Sequence, residues 1–242
     1  MGESEDRFML CIPIIAKTSE EALIKIRECS PPADIIELRI DSIINADMNR
    51  LFNAKRARVC GNTPFIITNR KRDEGGNFRG SERQRVDLLL KAVELGAEYV
   101  DIELSTEDAL IEELLQTVRS HDNQTRLIVS SHDFSKTPSE ARLKARFNEC
   151  IEAGAGIVKI AAYARSVEDN LKVLSLIPYG RRKEKKIIAF CMGKLGRISR
   201  VAAPLLGSYL SFASIERGYE SAPGQMTVSE MKEIFRILNE ND

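Results

Sequence analysis

Lys159 stands inside the run GAGIVKIAAYA (154–164), between Val158 and Ile160. An ammonium loses its hydration on burial, so a lysine in so apolar a run needs a reason to be there. One reason is nucleophilic. A neutral amine condenses with a ketone, and the protonated imine then draws electrons from the adjacent carbon. Freeing an ordinary lysine at pH 7 costs about 4.6 kcal/mol. Desolvation and a neighbouring cation, Arg39 or Arg70, would lower that cost. Such chemistry also needs a base for the proton on the adjacent carbon. His132, in LIVSSHDF, is expected just past the end of the strand before the lysine's. Its near-neutral pKa suits it to take a proton and return it. His121, in TVRSHDNQ, ends a helix before a turn and reads as structural.

These side chains must be positioned by regular elements. The runs at 9–14, 34–40, 64–68, 98–104, 126–131, 156–161, 186–192 and 209–214 are rich in β-branched and aromatic residues and read as strands. Amphipathic helical patterns lie between them. Capping boxes are expected at Thr18…Glu21, Ser81…Gln84 and Thr227…Glu230, and glycine stops at Gly96 and Gly154. The alternation alone also fits a doubly wound sheet. Eight strand–helix units in a chain of 242 residues predict an α/β fold of the (β/α)8 TIM-barrel type. A single catalytic domain over 1–242 is expected, with residues 1–7 a polar extension. The basic run YGRRKEKK (179–186) reads as a solvated loop before the seventh strand.

Side chains alternate along a strand, so each strand divides into two faces. In the second, Ile36, Leu38 and Ile40 oppose Glu37, Arg39 and Asp41; in the fourth, Val100, Ile102 and Leu104 oppose Asp101 and Glu103. The outer face of a parallel barrel packs on helices and must be apolar. Glu37, Arg39, Asp101, Glu103 and Lys159 therefore point inward, close to His132. Burying that many charges costs several kcal/mol each before pairing, which favours a site over an ordinary core.

The composition excludes several classes. Lys plus Arg and Asp plus Glu each number 36, leaving no net field for nucleic acid or an anionic membrane. No apolar run approaches the roughly 20 residues of a membrane span. The start, MGESEDRF, is unlike a secretory signal. Five scattered cysteines without a CxxC pair (Cys11, Cys29, Cys60, Cys150 and Cys191) suit reduced thiols in the cytoplasm. With only two histidines, no metal site is expected.

The chain resembles the type I 3-dehydroquinate dehydratases over nearly its whole length. The marks are IELR (36–39), RKRDEGG (70–76), SSHDF (130–134), VKIA (158–161), CMG (191–193), GRISR (196–200) and SAPGQ (221–225), in this order at or beyond strand ends. The resemblance implies a TIM barrel and a cofactor-free, metal-free dehydration of 3-dehydroquinate to 3-dehydroshikimate in the shikimate pathway, which leads to aromatic amino acids. It implies that Lys159 forms the Schiff base with the C3 ketone. His132 would take the C2 proton and then assist loss of the C1 hydroxyl, while Glu74 orients it. Glu37, Arg39 and Arg70 would hold ring hydroxyls and shape the pocket. Arg200 would clamp the carboxylate, Ser221 and Gln225 would belong to a closing loop, and Met192 and Phe212 would form apolar walls. The family also implies a homodimer. Two glycine-rich stretches, 74–82 and 216–226, read as covers over the site.

Two other readings compete. A class I aldolase-like lyase also uses a barrel lysine, and GKLGRISR (193–200) could be argued as its phosphate loop. The histidine base and the arginine suit a carboxylate-bearing dehydration better. A non-catalytic ligand-binding barrel would have no reason to keep a lysine beside a histidine.

Overall fold

Parallel strands form at all eight of the places where β-branched residues cluster. The computed structural model describes residues 8–57, 61–121 and 125–239; the expected extension at 1–7 and Cys60 lie outside them. The strands are β1 (Leu10–Ile14), β2 (Ile35–Arg39), β3 (Phe65–Thr68), β4 (Tyr99–Glu103), β5 (Arg126–Asp133), β6 (Ile157–Tyr163), β7 (Lys186–Met192) and β8 (Ser211–Phe212). The helices are α1 (Ser19–Cys29), α2 (Met48–Arg56), α3 (Glu82–Glu94), α4 (Asp108–Ser120), α5 (Glu140–Glu152), α6 (Asp169–Leu174), α7 (Leu176–Arg182), α8 (Arg197–Leu205) and α9 (Val228–Asn239).

The sheet runs β7-β6-β5-β4-β3-β2-β1-β8. Its ends meet where the Tyr209 N–H donates to the Ile187 carbonyl at 2.7 Å, so the barrel is nearly closed. This is a (β/α)8 barrel. Ile36, Leu38, Val100, Ile102, Val129 and Val158 face outward into the helix layer, together with Leu89, Leu114 and Phe147. Inside, a second apolar layer of Cys11, Ile35, Ile66, Tyr99, Ile128, Ile157 and Ile188 fills the N-terminal end of the barrel. Two residues further along β2 to β6 the inward positions turn polar: Glu37, Thr68, Asp101, Ser130 and Lys159. Among the described residues no helix is long and apolar enough to cross a membrane.

The caps follow the expected chemistry with one exception. Ser81 and Gln84 form a full capping box. Thr227 and Glu230 exchange bonds at 2.9 and 3.2 Å. Thr18 accepts from the Glu21 N–H, but the Glu21 carboxylate takes the Lys17 N–H instead of closing the box. Gly96 and Gly154 end helices at φ 86° and 88°.

Two expectations are corrected. Tyr179–Arg182 of the basic run are helical, not loop, because α7 lays Leu176, Ile177 and Gly180 inward. β5 also runs two residues beyond the expected 126–131, to Asp133. His132 therefore lies inside the strand, in register with Ala161, not past its end. Backbone pairing with a long β6 extends β5 where side-chain polarity suggested a stop.

Candidate active site

The inward polar positions of β2 to β6 converge on one cavity at the C-terminal end of the barrel. Lys159 projects from β6 and is buried. Its ammonium donates to Asp101 Oδ2 at 2.9 Å and to Glu37 Oε1 at 3.2 Å, and lies 4.4 Å from the Phe212 ring centre. Of the two arginines expected near the amine, Arg70 shares Asp101 Oδ2 with it, whereas Arg39 pairs with Asp41. Arg70 reaches Asp101 at 2.8 Å and Glu103 at 2.7 Å. Arg39 forms a two-pronged pair with Asp41, both contacts 2.8 Å. Burial works to raise the Asp101 pKa, yet Arg70 and Lys159 overcome it and hold the carboxyl far below its ordinary value. Glu37 is likewise lowered against its burial, by Lys159, Arg39 and Arg70.

His132 projects from β5. A 3-10 turn over Arg72–Glu74 lifts Glu74 against it, so that one Glu74 oxygen accepts both the His132 N–H and the ring Nδ1–H at 2.9 Å. A carboxylate only accepts, so the imidazole proton is on Nδ1 and Nε2 carries a bare lone pair. Ser105 donates to the other Glu74 oxygen at 2.6 Å. Burial, with Arg70 adding to it, pushes the His132 pKa down to about 4 despite Glu74. At neutral pH the pair is thus a neutral imidazole bonded to a carboxylate, which is a base ready to accept.

Arg200, on α8, is the outlier among these charges. Its guanidinium is buried, stacks 4.5 Å from the Phe190 ring centre and donates one bond, at 3.3 Å, to the Pro223 carbonyl. Among the described residues Nε and Nη1 have no hydrogen-bond partner. Burial without a facing carboxylate pulls its pKa down to about 9. A fixed cation with two unsatisfied donors, on a residue that lines the cavity, is suited to receive an anion.

The closing segment after β8 is held in place by its own residues. Gln225 accepts from the Ser221 N–H at 2.7 Å and donates to the Ser221 hydroxyl at 3.1 Å. The Gly193 N–H donates to Pro223 at 3.0 Å, and a Cβ at Gly224 would sit 2.2 Å from the Gly193 carbonyl oxygen. The Gly196 N–H is taken by Gly193. Two of the donors a phosphate loop at 193–200 would need are therefore already used, which weakens the aldolase reading.

Glu37, Arg39, Arg70, Glu74, His132, Lys159, Met192, Arg200, Phe212, Ser221 and Gln225 all line this one cavity. Gly75, Phe134, Ala161, Phe190 and Ala222 also line it and were not singled out by the sequence reasoning. Phe190 was within reach, because it is two residues before Met192 on the same strand face. So was Phe134, which follows His132 by two and stacks on it at 6.4 Å. Ser105 carries no local signal.

Residues 10–242 match the family described as Type I 3-dehydroquinase. The chain belongs to the type I 3-dehydroquinase family. Relatives named 3-dehydroquinate dehydratase, a hydro-lyase activity, bear this out. The protein from Methanococcus maripaludis strain S2 is 38% identical over 231 residues, covering 96% of this chain and 100% of that one. That from Dehalococcoides mccartyi strain BAV1 is 38% identical over 233 residues, covering 95% and 96%. The type I 3-dehydroquinate dehydratase of Clostridium difficile, solved with covalently modified comenic acid, superposes with a TM-score of 0.87 at 28% identity, over 97% of this chain and 93% of that one.

Proposed function

We propose that this family member dehydrates 3-dehydroquinate to 3-dehydroshikimate through an imine on Lys159, as a step of the shikimate pathway towards aromatic amino acids. The observation that carries the proposal is the sharing of one cavity by a buried amine, a neutral imidazole and a guanidinium with open donors. The substrate offers the matching groups: a ketone, an acidic carbon beside it and a carboxylate.

In this reading the carboxylate meets Nε and Nη1 of Arg200, which orients the ring. The deprotonated fraction of Lys159 adds to the C3 carbonyl, and loss of water from the adduct leaves a protonated imine. The resting ammonium and the protonated imine are both cationic, so Glu37 and Asp101 face a positive charge in each of these two states. His132 Nε2 then removes a C2 proton, and the electron pair moves to the nitrogen as an enamine. Return of the pair expels the C1 hydroxyl, which leaves as water with the proton held by His132. Hydrolysis releases the conjugated enone and restores the amine, for a net loss of one water. Glu74, anchored by Ser105, keeps the imidazole in one tautomer and stabilises its transient positive charge. Arg39 ties the loop after β3 to the barrel through Asp41 and the Gly75 carbonyl. The described cysteines, Cys11, Cys29, Cys150 and Cys191, are free and buried, which supports a reducing compartment such as the cytoplasm.

The test is mass spectrometry after mixing the protein with 3-dehydroquinate and borohydride. The expected result is a ligand-sized gain on the peptide carrying Lys159, absent in Lys159→Ala. No adduct, together with no growth of the enone's ultraviolet absorbance, would sink the proposal.

A further inference from the structure

A row of charge-assisted bonds leads away from the cavity to a helix on the outside of the barrel. Arg85, on α3, is buried, and its guanidinium donates to Glu103 at 2.5 Å, Thr106 at 2.7 Å, the Asn69 carbonyl at 2.8 Å and Glu82 at 2.9 Å. Glu103 passes the connection to Arg70 at 2.7 Å. Arg70 and Lys159 then share a single oxygen, Oδ2 of Asp101, at 2.8 and 2.9 Å. Ser130 braces the middle of the row, accepting from Arg70 and donating to Asp101, both at 2.7 Å.

The charges in this row balance. Three buried carboxylates (Glu37, Asp101 and Glu103) face three buried cations (Arg70, Lys159 and Arg85). Glu82, the other partner of Arg85, lies at the edge of solvent. Arg85 and Glu103 line no part of the cavity. We infer that Arg85 and Glu103 are a positioning pair that sets the protonation of Lys159, acting through Arg70 and Asp101. The inference rests on Lys159 being the imine-forming amine.

The physical argument concerns how Arg70 divides its charge. While Arg85 neutralises Glu103, Arg70 is left to Asp101, and Asp101 attracts the lysine's proton less strongly. Without Arg85, Glu103 draws on Arg70, the row carries a net negative charge, and Lys159 holds its proton more tightly. Without the Glu103 charge the sign reverses. The other groups facing Lys159 are Glu37 on β2 with Arg39 beside it, His132 on β5 and the Cys11 thiol on β1. Those facing Glu103 are Arg70, Arg85, Asp101 and Glu74. Burial raises the Glu103 pKa against both arginines, so its charge depends on their staying in place.

The experiment measures two pH profiles in Arg85→Met, Arg85→Lys, Glu103→Gln and the Arg85→Met/Glu103→Gln double variant. One is kcat/KM for 3-dehydroquinate. The other is the rate of Lys159 methylation by formaldehyde and cyanoborohydride, read by peptide mass spectrometry. Arg85→Met should move the acid limb of both to higher pH by about one unit, which is about tenfold in rate at neutral pH and is recovered in alkali. Glu103→Gln should move it to lower pH. Arg85→Lys and the double variant should lie near the wild type, and they keep the test intact if Arg85→Met does not fold. Two single variants shifting the same way, or losing rate equally at every pH, would overturn the inference and leave Arg85 a packing residue. Methylation needs only a free amine. A wild type that forms no imine with 3-dehydroquinate would thus count against the proposed function, while the titration would still decide this inference.

Discussion

Arg200→Met should damage binding and stabilise the free protein at the same time. Below pH 9 the guanidinium is charged in both the folded and the unfolded chain, so the folded state bears the whole cost of burying it. Driving an arginine that far below its ordinary value corresponds to on the order of 4 kcal/mol at pH 7. The stacking on Phe190 returns about 1 kcal/mol, and the smaller methionine leaves a gap costing about another 1. The variant should therefore be more stable by about 1–3 kcal/mol, which for a chain of this size raises Tm by roughly 3–8 °C. The gain should shrink as the pH rises past 9, where the wild-type guanidinium begins to lose its proton. Binding moves the other way. A carboxylate meeting Nε and Nη1 gains about 1.5–3 kcal/mol per charge-assisted bond, so kcat/KM should fall about 10²- to 10⁴-fold, mainly through KM. The assay pairs enone absorbance kinetics with thermal melts, with and without 3-dehydroshikimate, which should raise Tm in the wild type only. A lower Tm combined with an unchanged KM would refute the reasoning.

His132 stays neutral in the folded protein down to about pH 4, whereas an unfolded histidine protonates near 6.5. Wild-type stability should accordingly fall by about 3 kcal/mol as the pH drops through that window. His132→Asn, which cannot take up the proton, should show a curve flatter by that amount in urea titrations, and about 10²- to 10⁴-fold less turnover. Equal slopes in the two proteins would contradict the assignment. Gly224→Ala places a Cβ 2.2 Å from the Gly193 oxygen at φ 82°, so the segment carrying Ser221 and Gln225 must move. We expect about tenfold lower kcat/KM, carried by KM, with borohydride capture at Lys159 intact at saturating substrate; an unchanged KM would show that the segment does not contribute to binding.

Several features of the site were legible before any coordinates. The period of two in β2 and β4 separates Glu37 and Arg39, and Asp101 and Glu103, from their apolar neighbours, and the outer helices leave those charges only the interior. The order of short motifs along the chain points to Glu74 and Arg200, which no strand pattern marks. The end of β5 was misread because side-chain polarity was the only signal, while backbone pairing with β6 sets its length. The helix over Tyr179–Arg182 was missed for the same reason: its charged residues conceal an inward face formed by Leu176, Ile177 and Gly180.

By itself the sequence determined the eight strand–helix units and the inward set of charges, because alternation and strand count are local properties, while the family resemblance in short motifs supplied Glu74, Met192, Arg200, Phe212, Ser221 and Gln225. Only the tertiary structure decided which charge pairs with which. Arg39 takes Asp41, Arg70 bridges Asp101 and Glu103, Lys159 lies between two carboxylates, and Arg85 enters from a helix whose pattern gave no hint of a buried cation. Pairing depends on register between strands that are distant in sequence and on how loops fold back over the barrel mouth. Those distances are set by closure of the whole sheet, so no single strand encodes them.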